Sequence, residues 1–186
     1  MTGYIYKNRI WNRYDDTYTI GFSCVYFTPN DSTPVNSGEV VWIYHNTCIN
    51  GGAAAYIGPV SGFGYPNLRH INNLQQMPFL TSGAWMSDPG QGGGGYCGGG
   101  VIGAVDYNWY YGSNPGCSWV GSNNVPSTSR IFNHTSPPTS WIPSGSALGA
   151  AIDISKPFTL NGVSYPALPG FSPGYPHDMG AVQSGR

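Results

Sequence analysis

Ionic side chains are scarce in this sequence. Only 8% of its 186 residues are Asp, Glu, Lys or Arg, against about 25% in ordinary soluble domains. There are two lysines, Lys7 and Lys156, and one glutamate, Glu39. Helix surfaces draw on those types because they lose little side-chain entropy in a helix, so the shortage argues against a helical fold. The formal net charge is −1 and no basic patch stands out, which excludes the phosphate-neutralising surface of a nucleic-acid binder. No apolar run approaches the ~18 residues of a membrane-spanning helix. Residues 1–11 lack the apolar stretch of a secretory signal. The cysteines are Cys24, Cys48, Cys97 and Cys117, too few for a disulfide-dense scaffold. Pairings 24–48 and 97–117 are possible, and without a secretory signal free thiols are expected at least as often. No CxxC or HxxxH spacing occurs, so no structural zinc is expected. A GxxxxGK phosphate loop, a GxSxG elbow and a repeat of fixed period are also absent.

What is abundant is Gly (28), Pro (16) and aromatic residues (15%). Gly and Pro disfavour helix and strand interiors, so loops must take much of the chain. The aromatic content argues against disorder, and the length allows a real core. Strands are expected at residues 17–27 and 39–44, as one long strand or a pair at 101–111, and at 129–132 and 147–154. Leu68, Ile71 and Leu74 recur at helical spacing between Pro66 and Pro78, which predicts a helix over 67–77. Asn161-Gly162 suits a type I′ turn, which predicts a hairpin over 158–165. The expected architecture is mainly β: a single loop-rich, Gly-rich, β-sandwich-like domain over 1–165 with at most one or two short helices. An extended Pro/Gly-rich tail follows at 166–186.

Seven of the ten residues from 91 to 100 are Gly. This segment reads as a flexible loop or as a polyproline-II-like ribbon that packs closely because it lacks Cβ atoms. With the scarce charge and the Asn, Tyr and Trp decoration, it resembles the distal adhesins and fibre-tip domains of tailed bacteriophages, some of which pack polyglycine ribbons together. The resemblance implies a virion protein of the tail tip or fibre, assembled in the host cytoplasm and exposed on the particle. Its implied partners are other tail proteins, further copies of itself and a bacterial surface glycan or receptor.

Candidate catalytic groups do not converge in the sequence. Asp15 and Asp16 are adjacent and would point to opposite faces of a strand. Glu39 and Asp106 are the other carboxylates of interest for a hydrolase. His45 near Cys48, and Cys97 or Cys117 with His70 or His134, invite a thiol–imidazole pair without a local signature. His177-Asp178 reads as exposed loop, and Ser144-Gly145-Ser146 lacks the setting of a nucleophile. No enzyme, cofactor or metal is expected. The better candidate for binding is the aromatic set Tyr107, Trp109, Tyr110, Tyr111 and Trp119 with Asn114, a combination of rigid rings and adaptable amides used in recognition loops.

Overall fold

The computed structural model describes residues 2–11, 25–27, 40–50, 55–57, 67–76, 81–82, 86–87, 102–113, 120–133, 135–173 and 178–184. At four points a strand ends in a residue of positive φ followed by an Asn. The residues in the left-handed region are Lys7 (57°), His45 (48°), Asn72 (57°) and Tyr107 (56°), and Asn8, Asn46, Asn73 and Asn108 follow them. Such a conformation is strained for a non-Gly residue, and it turns the chain sharply from one strand into the next.

Strands before these corners form one parallel sheet in the order β1 (Thr2–Tyr6), β4 (Val40–Tyr44), β7 (Asn67–Ile71) and β11 (Ile102–Asp106). Strands after the corners form a second, in the order β2 (Arg9–Trp11), β5 (Thr47–Ile49), β8 (Leu74–Gln76), β12 (Trp109–Ser113) and β13 (Val125–Ser127). The short β9 (Thr81–Ser82) also pairs with β12. A third parallel sheet joins β3 (Val25–Phe27), β6 (Ala55–Ile57) and β10 (Met86–Ser87). The chain visits each sheet in turn and returns one strand further along, so it winds as a parallel β-solenoid in which each coil stacks on its neighbour. The only antiparallel pair among the described residues is the hairpin β14 (Phe158–Leu160) and β15 (Val163–Tyr165).

An asparagine ladder holds the corners in register. Asn8, Asn46 and Asn73 each donate a backbone N–H and a carboxamide N–H to the Oδ1 of the next rung's Asn, at 2.9–3.1 Å. Asn108 does the same to Asn124 at 3.0 and 3.1 Å. The carboxamides of Asn46, Asn73, Asn108 and Asn124 also donate to backbone carbonyls, including those of Ile5, Ile43, His70 and Val105. Asn46, Asn73, Asn108 and Asn124 are all buried. A buried corner must satisfy its amides, and Asn, with one acceptor and two donors, can do so on both sides at once.

Alternation along the strands separates interior from exterior. Ile43 sits in register with Ile5, His70 and Val105 and faces inward. Trp42 and Tyr44 face outward, where the C-terminal segment covers them with Ile154, Phe158, Leu160 and Leu168. On the next sheet Ile49, Leu74, Trp109 and Tyr111 also face outward and pack beneath Phe132, Ala147 and Met179. Residues 128–133, 135–173 and 178–184 are therefore a cladding laid over two faces of the solenoid.

Several expectations are corrected. The parallel sheets exclude a β-sandwich, whose sheets are antiparallel. Residues 67–76 form β7, a corner and β8 rather than a helix; Leu68 and Ile71 point to opposite faces of β7 and both are buried, one inside the coil and one beneath the C-terminal segment, so their spacing marks no single face. Residues 147–154 follow a short 3-10 turn (Gly145–Ala147) and form no strand, and neither do 129–132. The hairpin forms as expected, with Asn161 and Gly162 both at positive φ (49° and 79°). The Gly-rich segment at 91–100 lies outside the described residues. In the tail, residues 166–173 and 178–184 pack on the solenoid, with Tyr44 Oη donating to Pro169 O and Gly180 N–H donating to Asn72 O.

Candidate functional site

The described members of the aromatic set do not form an exposed surface. Trp109, Tyr110 and Tyr111 lie on β12 and are buried. Trp109 and Tyr111 face the cladding, and Trp109 Nε1 donates to Ser146 Oγ at 3.1 Å. Tyr110 faces the interior, where burial pushes its phenol up to about 12. Tyr107 occupies a corner and is half-buried; burial, then the neighbouring Asp106, raise its pKa. Asn114 and Trp119 lie outside the described residues. The three buried rings have no free face on which a sugar could stack.

The thiol and carboxylate candidates that are described also have structural employment. Cys48 is disulfide-bonded, so it is not a free thiol and no thiolate nucleophile; Cys24, Cys97 and Cys117 lie outside the described residues. His70 is buried inside the solenoid, and burial lowers its pKa to about 3 although Asn108 pulls the other way. Asp106 is buried and accepts from Asn123 N and Nδ2, both at 2.8 Å, which ties down the last rung. Gly121 must be Gly there, since a Cβ would come within 2.3 Å of the Asp106 carboxyl carbon. Asp178 accepts from the backbone N–H groups of Gly149 (2.8 Å) and Ser184 (2.7 Å). Among the described residues no three His, Cys, Asp or Glu side chains group to hold a metal.

A cleft of about 430 Å³ opens where the first corner meets the C-terminal cladding. Lys7 and Arg9, which flank the ladder residue Asn8, form one side. Residues 170–172 and 181–183 form the other. Two glycines let the cladding approach this closely. Gly170 has φ +92°, and a Cβ on it would strike the Tyr6 ring at 2.4 Å. Gly180 has φ +108°, and its Cβ would lie 2.7 Å from Thr47 Oγ1. Tyr44 fixes the same stretch by donating to Pro169 O at 2.9 Å, and Ala181 N–H donates to Thr47 Oγ1 at 2.9 Å. His45 sits behind the cleft with its ring 4.4 Å from that of Phe171 and its Nδ1 3.2 Å from Gly180 O.

Two cations, Lys7 and Arg9, line the cleft. Lys7 Nζ lies 4.3 Å from the Phe171 ring centroid and donates to Gly170 O. Arg9 is exposed and has no hydrogen bond, ion pair or ring partner among the described residues. The other described cations are engaged: Arg69 between the rings of Trp42 and Tyr165, Arg130 on Tyr111, and Lys156 with Asp153 at 3.0 Å. None of the described lining residues is acidic, Ser172 adds a hydroxyl, and the Gln183 carboxamide is bound to Asp178 and Gly180. Sequence reasoning missed this site because Lys7 and Arg9 are distant in sequence from residues 170–183. The signal that could have found it is the recurring corner pattern, strand–x–Asn–strand, which places Lys7 and Arg9 on either side of a rung.

Comparison with protein-family models, with curated proteins and with solved structures finds no match. The functional reading therefore rests on the site.

Proposed function

We propose that this chain is a bacteriophage virion protein of the tail tip or fibre that contributes to attachment to the host surface by non-covalent binding, and that it is not an enzyme. The observation that carries the binding reading is the cleft at Lys7 and Arg9. It is a preformed concavity of the size that small ligands occupy, on a stacked scaffold whose other described cations are engaged by rings or a carboxylate. The disulfide at Cys48 suits a protein that works outside the reducing cytoplasm. The virion assignment draws on scarce charge and on the resemblance to phage adhesins. Multiple copies on a particle would add avidity to a weak single site.

Purified protein is expected to bind the surface of susceptible bacteria and to slow adsorption of the virions that carry it. Absence of the protein from purified virions, together with no binding to intact cells, contradicts the proposal. Release of new reducing ends from envelope polysaccharide by the purified protein contradicts the non-enzymatic part.

A further inference from the structure

We infer that the cleft binds a saccharide bearing a carboxylate or a phosphate, which deepens the attachment reading by naming the chemistry of its ligand. A guanidinium offers donors in a planar fork that matches either anion in bidentate fashion. Arg9 presents that fork at the rim of the cleft with no partner among the described residues. Lys7 is held in place from two sides, by the Gly170 carbonyl and the Phe171 ring. An ammonium has three donors, so a bond to Gly170 leaves others for a ligand. Ser172 stands on the opposite wall, within the same opening, and offers a hydroxyl to a sugar ring, while Gln183 shapes that wall with its carboxamide bound to Asp178 and Gly180. Among the described residues no carboxylate lines the cleft to compete for the two cations. A neutral glycan would use the walls but leave Arg9 unmatched, so the site discriminates by charge.

The test is titration of the isotopically labelled full chain with glucuronate, with glycerol phosphate and with glucose, followed by NMR. Shifts confined to Lys7, Arg9, Ser172 and Gln183 are expected with one or both anions, and none with glucose. The arm that responds tells carboxylate from phosphate. Added salt should weaken the response. Arg9→Gln should weaken it about tenfold or more, while Arg130→Gln, remote from the cleft, should leave it unchanged. Arg9 is exposed, so its replacement is expected to keep the fold, checked by an unaltered amide spectrum elsewhere. Equal shifts with glucose, no shifts with either anion, or full affinity in Arg9→Gln overturns the inference. The two readings separate cleanly: cell binding that persists in Arg9→Gln sinks the anion inference alone, whereas anion binding by a protein that never binds cells sinks attachment alone.

Discussion

Asn73 shows what a single side chain does in this molecule. Its Oδ1 accepts from the backbone and carboxamide of Asn46, while its own Nδ2 reaches the carbonyls of Ile43 and Ile71. Asn73→Ala leaves several buried groups without partners, each costing about 1–3 kcal/mol. A loss of about 3 kcal/mol or more is expected in urea unfolding. Asn8→Ala, on the exposed first rung, should cost under about 1 kcal/mol. His70 gives a pH dependence. Its folded pKa is lowered to about 3 by burial, below the ordinary value of about 6.5, so the unfolded chain takes up the proton first. Stability is therefore intact above pH ~6.5 and falls by about 1.4 kcal/mol per pH unit below it. His70→Gln should flatten that slope by one proton between pH ~6.5 and ~5, measured by denaturant midpoints across that range. These roles were not legible in the sequence. An Asn in a turn cluster reads the same whether its amide faces water or the next rung, and the rungs are separated by 38, 27, 35 and 16 residues, which hides the repeat.

At the level of elements, legibility followed locality. The hairpin at 158–165 was readable because Asn161-Gly162 sets its own turn and the paired strands are adjacent. Residues 40–44 were readable as a buried strand from their apolar run. The false helix at 67–77 came from Leu68, Ile71 and Leu74: β7 is buried on both faces, so Leu68 and Ile71 are both apolar though they point opposite ways, and Leu74 lies beyond the corner on β8. Strand direction was not readable, since parallel pairing is fixed by partners far away in sequence. The cladding depends on close approach at Gly180. Gly180→Ala forces a Cβ to 2.7 Å from Thr47 Oγ1 and 3.3 Å from Leu74 Cβ, at a φ that L residues resist. A stability loss of about 2 kcal/mol or more is expected. Limited proteolysis should then cut the chain within 178–184 earlier than in the unsubstituted protein. Unchanged cleavage there would mean that the segment is not anchored by this contact.

Across the whole molecule, the scarcity of charge and the wealth of aromatics have one physical explanation. A solenoid leaves apolar rows on its outer faces as well as inside. Here the C-terminal segment covers two of those faces with Phe132, Phe158 and Leu160 among others, so rings such as Trp42 and Trp109 are core despite lying outside the coil. The same cladding creates the cleft against the first corner. A mainly β molecule was legible from composition, but its winding was not, because coils of unequal length leave no period to detect. The most direct measurement is NMR cross-relaxation in the labelled full chain. Stacked rungs predict contacts between side-chain amides running Asn8–Asn46–Asn73–Asn108–Asn124, with close antiparallel Hα–Hα contacts confined, among the described strands, to the hairpin at 158–165. Extensive antiparallel Hα–Hα contacts among residues 40–44, 67–71 and 102–106, with no contacts between those amides, would contradict the solenoid and the cleft that depends on it.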